Sequence, residues 1–523
     1  MTRRPGNSAT AVSRRAVLLG AAGALTLSGN RSAVAQAGPK PGGRFRLGLG
    51  EGDIGDSHDP ATWGVADLVI VGLWGAVYNN LMEIGADNQL TPELAESVES
   101  SPDAKSWSFK LRRGVVFHNG KTLDSDDVVA SFNHHRGRGS KSAARPIVDS
   151  IIDLRTDGPE RVVFTLSGGN ADFPVLCTDY HLVIGPAKGG EIDWEPAVGT
   201  GGYILISHER GVRMVLKRNR DYWKSGRAHF DDVELIHIAD IAARMNAVIT
   251  GQVDVIERPD LKTLHLLRQH SDVVIDEVAS TQQYTLPMFT DVAPFSDLNV
   301  RLALKYAIDR DAMVHTILRG HGSPGNDSPI TPANKYFAAD VRPRPYDPDK
   351  AQYYLRQAGV TSLRVDLSTA DAAFKGAVDT AVLFKEHAAK AGIDINVVRE
   401  PNDGYWTNVW NKKPFVTCFW QGRPSEDWMF SEVYAKDAPW NDTHWKNARF
   451  NALLLSARAE LNTDTRRAMY HEMQQLVSDG GGVIIPMFAN YVMARGAGVA
   501  HEPRIGSNLD LDGWKCIERW WFA

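Results

Sequence analysis

The stretch from Leu90 to Phe132, LTPELAESVESSPDAKSWSFKLRRGVVFHNGKTLDSDDVVASF, constrains the fold more than any other, because it sets an amphipathic strand, a turn and a capped helix in close succession. Trp107, Phe109 and Leu111 alternate with Ser106, Ser108 and Lys110, the period of two expected of a strand with one buried face. A further strand segment is expected at Val115 to His118, ended by Asn119-Gly120, whose glycine supplies the positive-φ position of a tight turn. Asp124 then stands where a helix N-cap belongs. Asp127 lies three residues on in the first turn, but it is not the glutamate of a capping box.

Similar alternation of strands and helices runs along the rest of the chain. Strands are expected at Arg44 to Leu49, Val162 to Leu166, Met214 to Arg218 and Val233 to Ile238, and helices at Ala66 to Asn80 and Ile241 to Thr250. After the strand-like run Tyr284 to Phe289 the pattern becomes more helical: Val300 to Ala307, Arg310 to Arg319, Pro348 to Ala358, Ala372 to Ala391 and Thr465 to Ser478. Val483 to Phe488 and Tyr491 to Ala494 are strand-like again. Mixed elements in this order argue for an α/β chain. At 523 residues, with 43% hydrophobic and 23% charged, it is long enough for two or more domains with full cores.

The N-terminus reads differently. Met1 to Ala37 holds five arginines and no acid, a mostly apolar run Ala16 to Leu27, and alanines at 33, 35 and 37 before Gly38, the pattern of an export signal. Ser13-Arg14-Arg15-Ala16-Val17-Leu18 resembles a twin-arginine signal. As a helix, twelve apolar residues span only about 18 Å, against the roughly 20 residues that a bilayer requires, so a membrane anchor is the weaker reading. Loss of residues 1–37 leaves 53 basic against 63 acidic residues and moves the formal charge from −5 to −10. A net acidic chain without a basic block argues against nucleic-acid binding. Cys177, Cys418 and Cys516 are odd in number and widely spaced, which leaves no disulfide framework, no C-x-x-C metal knuckle and at most one bridge.

Five motifs in one order carry a resemblance. They are the P-x-L-A-x-S, W-x-F-x-L-R-x-G-V-x-F-H-x-G and D-D-V-x-x-S-F run of residues 92–132; Gly199-Thr200-Gly201-Gly202-Tyr203 with Arg218 to Trp223; Ala242-Ala243-Arg244 through Gly251-Gln252-Val253-Asp254; Asp297 to Asp311; and Tyr346 to Gly359. Together they resemble the extracytoplasmic solute-binding proteins of the peptide, nickel and opine type that serve ABC importers. Gly202 departs from the pattern, standing where the family has proline. The resemblance implies a two-lobed periplasmic binding protein of type II, the large peptide-binding kind, with a hinge between lobes. Lobe I would comprise residues 38–290, with an extra subdomain at about 76–198, and residues 489–523; lobe II would be 291–488. It further implies a periplasmic monomer that closes around a small ligand and hands it to the transmembrane subunits of an ABC permease.

Three motif fragments point elsewhere and are discounted on chemical grounds. Gly50-Glu51-Gly52-Asp53-Ile54-Gly55 is formally G-x-G-x-x-G after a strand, but Asp59-Pro60 follows where a pyrophosphate-binding helix would have to run. His471-Glu472-Met473-Gln474-Gln475 begins like a zinc-protease helix, yet Gln475 occupies the place of the second histidine ligand. His134 and His135 are adjacent, about 100° apart on a helix, and are read as a solvated helix end beside Arg136 and Arg138. No cofactor and no metal site is expected.

Ligand selectivity is expected in Phe415 to Phe430, FVTCFWQGRPSEDWMF. In the peptide-binding members that the chain resembles, a strand ending in tryptophan runs into a loop whose aspartate holds the ligand's ammonium. Trp420 matches the tryptophan; Arg423 falls at the aspartate's place, with Glu426 and Asp427 close behind. A guanidinium there suits a carboxylate or phosphate, unless Arg423 turns to solvent or pairs with Glu426 while Glu426 or Asp427 takes the ammonium. Asp53 in the glycine-rich loop, Tyr284 in the strand-like run and Asp371 before the helix expected from Ala372 complete the candidate ligand contacts. The main expectation is a peptide ligand. An opine-like amino-acid conjugate or other anionic solute is the alternative, nickel or haem a remote one. A secreted hydrolase is the competing class, with no motif in support, and a sensor or chaperone-like protein is a third.

Overall fold

The computed structural model describes residues 38–64, 67–137, 139–423 and 425–523. The arginine pair and apolar run of the N-terminal segment lie outside these residues. The largest sheet has nine strands. Its order begins with Cys418–Trp420, Val273–Pro287, Val483–Gly496 and Val255–Glu257, and continues through Arg44–Leu49, Asp232–His237, Arg213–Arg218 and Tyr203–Glu209. Arg44–Leu49 runs parallel to both Asp232–His237 and Val255–Glu257, while the other neighbours along this order are antiparallel.

A separate four-stranded antiparallel sheet is built on the alternation read at Trp107. Strand Ser106–Leu111 buries Trp107, Phe109 and Leu111, and Arg161–Leu166 beside it buries Val162, Phe164 and Leu166 on the same face. Each such side chain contributes about 1.5–3 kcal/mol by leaving water. Helix Ser125–His134 covers that face, with Phe132 packed edge-on to Phe164. Its N-terminus is a reciprocal capping box: Asp124 accepts from Asp127 N at 3.2 Å, and Asp127 returns a carboxylate to Asp124 N at 3.0 Å. Aspartate thus performs the role reserved above for glutamate. Lys121, 2.6 Å from Asp127, offsets the burial of that second carboxylate.

Four other expectations are corrected. Val115 to His118 contributes one isolated bridge, Val116 to Thr122, because the chain reverses at Gly120 (φ +86°) and Phe117 and Lys121 already pair. Ala66 to Asn80 is a helix over Asp67–Gly72 that continues as a single π-turn, Leu73–Val77. The helix expected from Ala372 begins at Ala377, preceded by Gly376 at φ +92°. His134 and His135 do not form a solvated helix end: His135 is buried against Ser142 Oγ at 2.7 Å, and His134 meets Asp59 at 2.6 Å. The three cysteines are buried and free.

The strands Val273–Pro287 and Val483–Gly496 pair along nearly their whole length and pass between different cores. At one end Val273, Val492 and Ala494 pack with Met245, Val253 and Leu264, while Tyr491 and Met493 join Phe45, Leu47 and Trp514. At the other end Leu286, Ile484 and Met487 pack with Val300, Leu304 and Phe384. Between these ends the ladder breaks at residues 280–282, where Ser280 Oγ donates to Ala489 O at 2.6 Å. Such a bulge bends the strand and re-aims its side chains, here Thr281.

Candidate ligand-binding site

The break in the ladder is where the two core groups present polar side chains to each other. On the first side, strand Arg44–Leu49 ends at Gly50, whose N–H donates to Glu257 Oε1 at 2.7 Å. A Cβ at Gly50 would lie 3.0 Å from the Arg244 guanidinium, so a larger residue there would have to push that side chain aside. Glu51 follows, half exposed. Strand Val255–Glu257 ends in Arg258, a non-glycine residue at φ +42°. Its Nε donates to Asp510 at 2.7 Å, and Glu51 lies 3.7 Å from its guanidinium. Burial raises the pKa of the Glu51 carboxyl; Arg258 opposes the shift, and Glu257 and Asp510 add to it.

On the second side, strand Cys418–Trp420 pairs with Thr285 to Gln283, setting Phe419 opposite Tyr284. Gln421 and Gly422 then fold over the bulge. A Cβ on Gly422 would stand 1.7 Å from Thr281 Oγ1, so no larger residue fits. The Tyr491 hydroxyl lies between the two sides, near Thr281 and Gln421 and within the field of Asp510 and Arg258. Tyr491 is 4% exposed and Thr281 6%, yet neither hydroxyl makes a well-formed hydrogen bond.

Each residue singled out from sequence has a definite place. Arg423 is one-fifth exposed, its guanidinium carbon 5.9 Å from the ring centres of both Trp420 and Trp428. Its Nε donates to Glu432 at 2.5 Å and Nη1 to Gln421 O at 3.0 Å, so its carboxylate partner is Glu432 and not Glu426. Glu426 and Asp427 open the short helix Glu426–Met429 that Ser425 caps. Glu426 accepts from Tyr336 N at 2.7 Å, and burial pushes its carboxyl up to about 7. Asp427 receives Arg458 Nε at 3.1 Å on both oxygens, and burial, opposed by that arginine, leaves it at about 6.

Trp420 is buried in an aromatic cluster, its ring 5.9 Å from those of Trp410 and Trp440. Tyr284 stacks flat on Phe374 at 4.1 Å, and burial pushes its phenol up to about 12 against the pull of Arg258. Asp53 is exposed and turns back to accept from Gly55 N at 2.7 Å. Asp371 is also exposed, in the turn that carries Phe374, and accepts from Val378 N at 3.5 Å in the first turn of the helix Ala377–Ala389, whose N-cap position is Gly376. The structure therefore brings Tyr284 and the Trp420–Arg423 segment to the bulge and leaves Asp53 and Asp371 on exposed turns. Glu51, Arg258, Thr281, Gln421, Tyr491 and Asp510 escaped the sequence reading. Gly422, forced by crowding against Thr281, is the mark that this neighbourhood leaves in the sequence.

Comparison with known proteins decides the family. The profile of the bacterial extracellular solute-binding proteins, family 5, matches residues 89–442. The chain belongs to that family. The Heme-binding protein A of Haemophilus influenzae is 26% identical, over 77% of this chain and 79% of its own. The glutathione-binding protein GsiB of Escherichia coli strain K12 is 27% identical, over 58% of each chain. Among solved structures, the periplasmic binding protein DppA of Helicobacter pylori, in complex with the peptide STSA, superposes with a TM-score of 0.74 at 22% identity, over 92% of this chain and 99% of its own. AgaA from A. tumefaciens R10, in complex with agropinic acid, gives a TM-score of 0.74 at 24% identity, over the same shares. The fold is the two-lobed α/β architecture of these binding proteins. The family consists of proteins that bind and deliver solutes.

Proposed function

We propose that this protein captures a peptide between its lobes in the periplasm and delivers it to the transmembrane subunits of an ABC importer. One observation carries the reading: the bulge in the paired strands, where Gly422 of one side packs on Thr281 and the buried Tyr491 hydroxyl stands beside Thr281 and Gln421 within the field of Asp510 and Arg258. The paired strands act as the hinge, lobe I being residues 38–290 with 489–523 and lobe II residues 291–488. Ligand contacts complete only when the lobes meet shift the population toward the form a permease recognises. The same reading makes residues 1–37 an export signal of the twin-arginine kind, the protein a monomer, and the ligand one that is returned unchanged. Among the described residues no helix is long and apolar enough to cross a membrane.

A thermal-shift screen of the protein against short peptides, opine-type amino-acid conjugates, nickel and haem tests this. Stabilisation grows as RT ln(1 + [L]/Kd), about 2.7 kcal/mol at 100 times Kd, so a true ligand stands clear of the rest. Peptide hits support the reading; a response confined to nickel or haem overturns it.

Arg423 favours a second reading, an opine-like conjugate or other anionic solute. Glu432 holds its Nε and Gln421 O its Nη1, which leaves Nη2 of this one-fifth-exposed side chain, beside Trp420 and Trp428, as the donor for a carboxylate. Arg423→Ala should then weaken binding of an anionic ligand by about 2–5 kcal/mol. Unchanged affinity removes this second reading.

A further inference from the structure

A second meeting of distant segments lies where residues 169–172, just after strand Arg161–Leu166, run against helices Ala448–Ala459 and Thr463–Gly480. Ala171 N donates to Arg458 O at 2.7 Å, and Asp172 lies 2.7 Å from Arg466, each of these two side chains less than one-tenth exposed. A Cβ on Gly169 would stand 2.9 Å from that of Ala459, so the two segments touch closely. Both charged partners are set in place by their own surroundings. Asp172 precedes helix Phe173–Leu176, whose Phe173 packs against Phe109 and Phe164. Arg466 donates to Ala457 O and to the Tyr470 hydroxyl, both at 3.1 Å. Two more carboxylates stand at the contact: Glu426, which accepts from Tyr336 N, and Asp427, which Arg458 holds on both oxygens. Around these two lie Asp172, Arg458 and Arg466, with the Tyr336 and Tyr470 phenols and Arg467 against the Tyr336 ring. Burial raises the pKa of both carboxyls, and the charge of Asp172 adds to both shifts. Trp428, next along the chain, packs on the core that holds Phe109 and Phe164, and the Arg423 guanidinium lies 5.9 Å from its ring, which joins this contact to the loop at the bulge.

We propose that this contact is a latch, distinct from the ligand contacts, whose Asp172–Arg466 pair forms only when the lobes close and thereby sets how far the ligand-free protein rests open. This rests on the reading of the paired strands as a hinge, since lobe I then carries Asp172, and lobe II carries Glu426, Asp427, Arg458 and Arg466. Two other ion pairs cross between the same lobes, Lys375 to Asp260 at 3.0 Å and Lys262 to Asp379 at 3.3 Å, but both lysines are more than half exposed and such pairs contribute little. Asp172 and Arg466 are sealed at both ends. Their attraction is offset in large part by the water that both charges surrender, which keeps the latch reversible while demanding the closed geometry. Closing also brings a third carboxylate beside Glu426 and Asp427. Their pKa values rise on closing, to about 7 and about 6, so protons are taken up and the closed form gains as pH falls through those values.

Small-angle X-ray scattering of the ligand-free protein reads the balance of open and closed forms, since closure lowers the radius of gyration. From pH 8 to pH 6 the closed-to-open ratio of the wild-type protein should rise at least about threefold. Asp172→Asn, which keeps the side chain's shape and has no helix-capping bond to lose, should lower that ratio at least about threefold at pH 6 and flatten its pH dependence. Glu426→Gln, which imitates the protonated acid and still accepts from Tyr336 N, should raise the ratio at pH 8 toward the wild-type value at pH 6. Changes of opposite sign separate a latch from a general loss of stability, which would open both variants and overturn the proposal. Equal radii for the three proteins at both pH values overturn it as well. Addition of a defined mixture of di-, tri- and tetrapeptides tests the hinge separately. If the mixture compacts the wild-type protein while the ligand-free variants match it, the latch falls and the hinge stands. If neither pH, substitution nor peptides change the radius, both fall.

Discussion

Two cations in this molecule are each ringed by three carboxylates, and they are built to opposite ends. Lys224 lies 2.6 Å from Glu93 and 3.1 Å from both Glu83 and Glu518, with one-tenth of its side chain exposed. Tyr222 donates to Glu518 at 3.0 Å, and Arg519 stands 3.7 Å from Glu83. Arg258, by contrast, is about two-fifths exposed, with Asp510 at 2.7 Å and Glu257 and Glu51 at 3.6 and 3.7 Å. The first ring is a closed network in which every partner is present. The second is looser and more open to solvent. Tight buried pairing stabilises the fold, whereas a pairing that solvent reaches contributes little to it.

Removing the central cation is the strongest way to break the comparison. Lys224→Met should destabilise the protein by about 3–5 kcal/mol, because three carboxylates would remain buried without their partner. Arg258→Met should cost less, about 1–3 kcal/mol, since the buried Asp510 keeps the Trp514 indole N–H and Glu257 keeps Gly50 N, and Glu51 is half exposed to water. It should instead weaken ligand binding. Urea unfolding of both variants, with binding measured alongside, checks the order; similar stability losses would remove the distinction. The Glu83, Glu93 and Glu518 oxygens lie within 4.8 Å of one another, a spacing a metal ion would also use, but the Lys224 ammonium occupies the centre. Zinc or nickel should therefore bind there only in the Lys224→Met variant, if at all.

A carboxylate without such a ring sharpens the comparison through pH. Burial would raise the Glu518 carboxyl, but Lys224 and neighbouring cations prevail and hold it well below the usual range. Its contribution is present above the unfolded pKa of about 4.5 and is lost as pH falls through the folded value. Glu426, buried against Tyr336 N, is pushed up to about 7. The sign is reversed: between about 4.5 and 7 the folded state binds more protons than the unfolded one, so this stabilisation is present at low pH and lost as pH rises. Glu426→Gln should flatten the decline of Tm across that window. An unchanged slope would show that Glu426 stays ionised.

What the sequence disclosed and what it withheld follow from the range of the interactions. Strand Ser106–Leu111 was legible because its alternation lies within six residues, and the capped helix because Asp124 and its partners are three apart. The start at Ala377 was missed because Gly376 takes a left-handed conformation that any glycine is free to adopt or refuse. His135 is buried by Ser142, seven residues away, and its helical position carries no mark of it. The site was the least legible part. Glu51, Arg258, Tyr491 and Asp510 come from distant segments joined only by the sheet order, and no local spacing records their meeting. Trp420 and Arg423 were found because a recurrent strand-to-loop motif carries them, yet the partner that fixes Arg423, Glu432, lay beyond the loop that was read.

The smallest expected effect concerns an ion pair that has good geometry and no burial. Arg449 and Glu472 meet through two hydrogen bonds of 2.7 and 2.8 Å on exposed helix faces, as well aligned as the contacts of Lys224. Geometry alone does not stabilise when water competes for both partners and salt screens them. Glu472→Gln should accordingly leave Tm unchanged within error at ordinary ionic strength. The same substitution bears on the zinc-protease fragment, since Glu472 is engaged by Arg449 and His471 by Asp340 at 2.8 Å. Zinc titration should give no stoichiometric binding that depends on either residue. A clear fall in Tm would mean that alignment, and not burial, separates the closed ring from the open one, and would undo the contrast between Lys224 and Arg258.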